Sequence, residues 1–253
     1  HDVHFSRFDI RQEDTLEEPQ HLEERFEAVV ANPPFSAKWK SSDNPLHETD
    51  DRYSQYGRLA PSSKADYAFV QHMIHQLADN GTAAVVLPHG VLFRGAAEGT
   101  IREYIIKDLN YLDAVISLPP NLFYGTSIPA CILVLKKCRV HDEDILFIDA
   151  SQEFEKAGNQ NVLKNEHVEK IVQTYADRRT IDRYSYVAPI SEVKENDYNL
   201  NIPRYVDTFE EEEPIDLMAV TTALQGLEET MAETDTTIAK FCDELGISSP
   251  FKI

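Results

Sequence analysis

The sequence has no apolar run approaching the roughly 20 residues that cross a bilayer. Its opening residues, HDVHFSRFDI, lack the basic, apolar and small-residue sections of a signal peptide. Cysteine is scarce: Cys131, Cys138 and Cys242 are odd in number and contain no close metal-type pair, which points to bystander thiols in a reduced, cytoplasmic setting. No serine or cysteine nucleophile pattern is present. His72, His75 and His89 have no ligand-like partners, so no metal centre is expected. Gly90, Gly95 and Gly99 do not have the spacing of a G-x-G-x-x-G turn and read as loop and helix-start glycines. Positive charge is also short, with 24 Lys and Arg against 44 Asp and Glu and a net charge of −20. Such a surface repels nucleic acid unless its positive charge is localised or another chain supplies it.

What is present suits a globular protein: 253 residues, 42% apolar and 27% charged, enough for one sizeable core or two modest ones. The first residue is His1, as expected of a segment of a longer protein. FSRFDIRQEDTL (Phe5–Leu16) reads as a short extended stretch, and FEAVVA (Phe26–Ala31) as a strand of the buried parallel kind. The polar segment from Ser36 to Lys64 has no apolar period and reads as a long functional or mobile loop. KADYAFVQHMIHQLADNG puts Tyr67, Val70, Ile74 and Leu77 on one helical face and stops at Asn80-Gly81. TAAVVLP and LDAVISLP are further strands with the helix TIREYIIKDL between them, an α/β alternation that argues for a mostly parallel sheet. PACILVLKK follows with no room for a crossover helix, so it should run antiparallel beside its predecessor.

The texture changes after Lys137. ILFIDAS is expected to add an edge strand and NEHVEKIVQTYADRR a helix, and YSYVAPISEVKENDYNLNIPRYVD reads as irregular. The acids Glu210–Glu213 with Pro214 read as a hinge. Beyond it Leu217, Val220, Leu224, Leu227, Met231, Thr234, Ile238, Phe241 and Leu245 step by threes and fours, a heptad seam over about four repeats. The expected organisation is a catalytic domain over residues 1–150, a helical and irregular extension over 151–213, and a coiled-coil tail over 214–253.

Chemistry concentrates at FEAVVANPPFSAKW. Pro33 drives Asn32 out of the helical region and Pro34 does the same to Pro33, so the chain leaves its strand in one stiff, extended path. The Pro33 carbonyl and the Asn32 side-chain oxygen are two acceptors suited to an amino group with two N–H bonds, and Phe35 offers a face for a ring to stack on. The place also fits, because open α/β sheets bind ligands outside the carboxyl ends of their strands. A ring bearing an exocyclic amine describes adenine. Accepting both N–H bonds favours the tetrahedral nitrogen that develops during attack on a methyl donor, and a paired base has to be flipped out to reach such a corner.

This corner, together with KADYAFVQHMIHQLADNGTAAVVLPHGVLFRGAAEGTIREYII, LDAVISLPPNLFYGTSIPACILVLKK and NLNIPRYVD, resembles the modification (methyltransferase) subunit of type I restriction-modification systems. The resemblance runs from about Asp14 to Asp207 and implies an S-adenosylmethionine-dependent adenine DNA methyltransferase with a seven-stranded sheet. Asn32, Pro33, Pro34 and Phe35 match the family's catalytic motif. EDTL matches its acidic segment near the cofactor adenine, which makes Asp14 a cofactor contact. Trp39, Phe123 and Tyr124 are candidates for holding the flipped base, and Tyr53 and Tyr56 share the same loop as Trp39. The family's glycine-rich cofactor loop and preceding helical domain are expected upstream, so the chain resembles the C-terminal portion of the subunit. On its own it should be inactive and carry an unpaired strand edge. The implied partners are DNA, a specificity subunit that reads it and a restriction subunit, with the tail heptads as the docking element. An RNA or protein amino-group methyltransferase is the alternative within enzymes, and a non-catalytic assembly scaffold the alternative outside them.

Overall fold

The computed structural model describes residues 9–124, 126–208 and 216–251. They divide into two compact units, the first ending at Thr208. The hinge expected at Glu210–Glu213 and Pro214 lies outside the described residues, as does the start of the Phe5–Leu16 stretch, whose described part is irregular and enters a turn at Thr15.

The first unit is built on a six-stranded sheet. Its strands in chain order are β1 (Phe26–Ala31), β2 (Leu77–Pro88), β3 (Leu112–Ser117), β4 (Ala130–Lys136), β5 (Asp144–Asp149) and, after a small hairpin of β6 (Glu155–Ala157) with β7 (Gln160–Val162), β8 (Ser185–Pro189). Across the sheet the order is β1-β2-β4-β3-β5-β8. β1 runs parallel to β2, and β3 parallel to β5. The short connection from β3 turns β4 back, and it inserts antiparallel between β2 and β3, pairing with both. ILFIDAS is therefore not an edge: β5 is interior, with Ile145 to Ile148 buried, because β8 pairs antiparallel on its outer side. That five-residue strand was invisible in a segment read as irregular, since Pro189 and short length mask it.

Helices α1 (Asp66–Gln76), α2 (Ala96–Lys107), α3 (Asn165–Asp177) and the short α4 (Ile190–Glu195) accompany the sheet. Strand alternation sorts the core into two clusters, as a period of two requires. Val115, Leu133 and Leu135 join Val70, Ile74, Ile101 and Ile105 of α1 and α2 in one cluster. Ala114, Ile116, Val134, Leu146 and Ile148 face Ile171 of α3 in the other.

Further expectations need correction: among the described residues β1 is an edge strand with mostly exposed residues, not one of the buried kind. α1 ends at Gln76, four residues before the expected Asn80-Gly81 stop, and Leu77 is already extended with φ −74° and ψ 130°. Gly81 serves the sheet instead: a Cβ there would lie 2.8 Å from the Phe26 carbonyl oxygen, beside the irregular register between Phe26 and Ala28. The Ser36–Lys64 segment, read as a mobile loop, is packed. It forms three single-turn 3-10 helices at Ser41–Asp43, Pro45–Glu48 and Ser54–Tyr56, with Tyr53 and Tyr56 buried. Its apolar groups are aromatic and irregularly spaced, so no period announced them. Buried Arg52 staples it to the chain's earlier turn, donating to the carbonyls of Thr15 (3.1 Å) and Leu16 (2.8 Å) and to Asp50.

The outer edge of β1 carries no strand among the described residues, and Val30 is 85% exposed, in line with the expected unpaired edge. The second unit holds α5 (Leu217–Leu245), capped by the Asp216 carboxylate, which accepts from the amides of Met218 and Ala219, and closed by Gly246 at φ +66°. Its heptad residues Leu217, Val220, Leu224, Leu227, Met231, Phe241 and Leu245 are exposed and Ile238 is half-buried. No helix among the described residues is long and apolar enough to cross a membrane. The three cysteines are free, Cys131 and Cys242 buried and Cys138 exposed.

His72 on α1 gives the fold a pH dependence. Burial, helped by the Arg52 guanidinium, pushes its pKa down to about 4 from 6.5. Arg52 has no acceptor, so His72 Nδ1, 3.3 Å away, must accept, which requires a neutral ring. An unfolded chain binds this proton near 6.5 and the folded one near 4, so stability is full above 6.5 and declines as pH falls toward 4. The loss reaches about 3 kcal/mol. Urea unfolding curves of the full-length protein and its His72→Gln variant, whose amide oxygen can take the Arg52 N–H without titrating, should separate as pH falls, the native protein losing stability that the variant keeps. Parallel curves would refute the assignment.

Candidate functional site

The parallel pair β1–β2 ends at a corner. The ladder reaches Ala31, paired with Val85, and the chain then leaves through Asn32, Pro33 and Pro34. Asn32 is exposed and Pro33 half-buried. Among the described residues neither the Asn32 amide nor the Pro33 carbonyl meets an internal hydrogen-bond partner. Phe35 is half-buried and meets the Phe123 ring edge-to-face, with centroids 6.0 Å apart and planes at 76°. The loop between β3 and β4 thus brings a second ring to the corner from 88 residues further along the chain.

Immediately after Phe35 the backbone turns left-handed, with Ser36 at φ +50°. Its amide donates to Asp66 Oδ1 at 2.7 Å, and Asp66 is 1% exposed at the first position of α1. Arg94 closes the set: Nη2 donates to Asp66 Oδ2 at 2.6 Å, while Nε and Nη2 donate to the two Glu98 oxygens at 2.6 and 2.8 Å. The Glu98 and Asp66 hydrogen bonds more than offset the cost of partly burying this guanidinium and raise its pKa further. Gly90 lies beneath it, where a Cβ would sit 2.3 Å from Nη1. Sequence reasoning missed Asp66, Arg94 and Glu98. Their only signals were an acid at a helix start and an Arg–Glu pair at i,i+4 spacing, both commonplace on helices.

Other candidates are placed differently. Tyr124 is 91% exposed in the same loop as Phe123. Trp39 belongs to the packing of the long loop: its indole N–H donates to the Pro61 carbonyl at 3.0 Å, its ring stacks on His47 at 4.9 Å, and it meets Tyr53 edge-on. Tyr53 and Tyr56 are buried. Asp14 is exposed and caps a turn through Oδ1, which accepts from the amides of Leu16 and Glu17, while Oδ2 meets no partner among the described residues. His89 follows β2 and lies 3.2 Å from Ser117 Oγ at the end of β3, its pKa lowered by burial. Gly95 precedes α2, while Gly99 lies inside it. Asp9, His21 and Glu24 gather ligand-type atoms within 4.8 Å at the surface, as exposed acidic groups commonly do without an ion.

This geometry has relatives. The N-6 DNA Methylase family model matches residues 1–214. The chain belongs to the N-6 DNA methylase family. It is similar to the type I restriction enzyme MpnII methylase subunit of Mycoplasma pneumoniae, 35% identical over 255 residues that cover 98% of this chain and 47% of the relative. It is also similar to the HindI methylase subunit of Haemophilus influenzae, 33% identical over 210 residues, covering 79% of this chain and 46% of that one. Among solved structures, the type I restriction-modification methyltransferase subunit from Streptococcus thermophilus matches with TM-score 0.72 and 50% identity, over 77% of this chain and 41% of that one. The EcoKI M protein shares the fold, with TM-score 0.60 and 19% identity over 95% of this chain. This N-6 DNA methylase chain spans about half the length, or less, of the curated relatives it matches.

The ring contact at the corner is measurable. Phe35→Ala and Phe123→Ala should be non-additive in urea unfolding of the full-length protein, with a coupling of about 0.5–1.5 kcal/mol. Strict additivity would mean that the two rings do not support each other.

Proposed function

We propose that the protein to which this chain belongs transfers a methyl group from S-adenosylmethionine to the exocyclic N6 amine of adenine in DNA, as the modification subunit of a type I restriction-modification complex. The observation that carries this reading is the oxygen pair of Asn32 and Pro33, without internal partners, beside Phe35 at the carboxyl end of a parallel strand.

The roles follow from the chemistry. Asn32 Oδ1 and the Pro33 carbonyl accept the two N–H bonds of a flipped adenine, drawing the amine lone pair out of conjugation as the nitrogen attacks. Two rigid acceptors also orient that nitrogen, and orientation alone is worth several powers of ten in rate. Phe35 stacks on the base and Phe123, packed edge-on to Phe35, holds its ring; Tyr124 is close enough in sequence to contribute. S-adenosylmethionine, when bound, supplies the electrophilic sulfonium methyl. The residues fit one side of such a cofactor: Asp14 is exposed and has a carboxylate oxygen without a partner among the described residues, suited to a ribose hydroxyl or adenine N–H, and the glycine-rich turn of the family is expected elsewhere in the full-length subunit. The net charge of −20 is compatible with a DNA enzyme whose grip on the phosphates comes from a specificity subunit. The exposed seam of α5 suits attachment to helices of that partner, with a restriction subunit completing the complex.

Labelled methyl transfer to unmodified plasmid, using the full-length subunit in its complex, tests the corner. Asn32→Ala should lower the rate by at least about 100-fold, with no transfer to RNA or protein by the native complex. Full activity of Asn32→Ala would make the corner structural and favour the scaffold reading, and methylation of RNA or protein in place of DNA would favour the other enzymes.

Deleting Leu217–Leu245 should abolish co-purification with the specificity subunit. Survival of the complex would refute the docking role of α5.

A further inference from the structure

We propose that Asp66, gripped by Arg94 and Glu98, is a positioning residue for methyl transfer, setting the direction of the two acceptor oxygens through the Ser36 amide. This rests on the corner reading above and adds the device that aims it.

The Asn32–Phe35 segment is stiff but short, and a stiff segment needs an anchor at each end to point in one direction. The near anchor is the β1–β2 ladder, which stops at Ala31. The far anchor is Ser36, whose φ of +50° is unfavourable for a residue with a side chain and persists only where its surroundings enforce it. The Asp66 carboxylate enforces it, taking the Ser36 amide on one oxygen at 2.7 Å and lying 3.5 Å from the Ser36 hydroxyl on the other.

Asp66 is itself immobilised. Burial removes water as an alternative partner, and Arg94 reaches its second oxygen at 2.6 Å. Arg94 is forked onto Glu98, which is 3% exposed, and its carbonyl accepts from Arg102 Nη1 at 2.9 Å. Gly90 leaves the space that the guanidinium occupies. The start of α1, the turn after β2 and the first turn of α2 are thereby tied to one backbone N–H next to the acceptors. None of these side chains touches the proposed base; they act through Ser36.

The test compares steady-state kinetics of variants in the full-length complex, with DNA and S-adenosylmethionine varied separately. Asp66→Ala should lower kcat about 10–100-fold while both KM values stay within about 3-fold, because a misdirected acceptor pair loses transition-state rather than ground-state interactions. Asp66→Asn keeps an oxygen for the Ser36 amide but sets an NH2 against the Arg94 donor, and should have a kcat between those of the native protein and Asp66→Ala. Arg94→Lys keeps the charge, loses the fork and should lower kcat about 3–10-fold at unchanged KM. It lies at a partly exposed position, so it carries the test should Asp66→Ala fail to assemble. Native kcat in Asp66→Ala or in Arg94→Lys, or an Asp66→Asn variant as slow as Asp66→Ala, would overturn the proposal. Asn32→Ala run alongside separates the two levels: if it is inactive while Asp66→Ala is native, only the positioning role falls, and if it is fully active, the corner reading falls with it.

Discussion

Pro33 has no N–H, so the ladder between β1 and β2 cannot continue past Asn32, and most of what is distinctive here follows from that stop. A strand that must end abruptly leaves its last polar groups without partners among the described residues. The two prolines then hold those groups in one extended path instead of letting them fold back onto the protein. Asn32 is left exposed and Pro33 half-buried, and the turn needed to bring the chain home falls on Ser36, where Asp66 captures it. The long loop beyond returns through Ala65, whose amide donates to the Ala37 carbonyl at 2.8 Å, so α1 begins directly under the corner.

Buried charge is used to fix backbone rather than to perform chemistry. Asp66, Arg94 and Glu98 hold Ser36, while Arg52 donates to two carbonyls of the preceding turn and Arg102 to those of Val91, Arg94 and Tyr198. At the opposite ends of β3 and β4, buried Asp113 accepts from the Tyr175 hydroxyl at 2.6 Å and pairs with Arg178 and Arg139. Each guanidinium presents several donors in a rigid fork, which suits it to gathering carbonyls that no helix or strand satisfies. In a chain so rich in acids, these arginines are spent inside, while the exposed Lys and Arg are outnumbered by Asp and Glu.

Two surfaces are left unfinished in complementary ways. The outer edge of β1 presents backbone groups and an exposed Val30, which pairing or covering would stabilise. The seam of α5 presents apolar side chains whose backbone is fully satisfied within the helix.

The α/β alternation, the antiparallel return of β4, the C-terminal helix with its heptad seam and the Asn-Pro-Pro-Phe corner were all determined by the sequence alone, because they depend on local rules: strand and helix periods, loop length, and the fixed φ of proline. The tertiary structure decided where α1 ends, that β5 is interior, and that the Ser36–Lys64 segment is packed. Only pairing partners distant in sequence set those features: Phe26 against Leu77, β8 against β5, and Arg52 against Leu16. The same holds at the site. Asn32 to Phe35 were legible because their chemistry lies in one contiguous phrase. Phe123, a plausible candidate, gained its meaning only when folding set it against Phe35, and Asp66, Arg94 and Glu98 carried no distinguishing local mark. Contacts across 28 to 88 residues are governed by the topology of the sheet, which no short window of sequence contains.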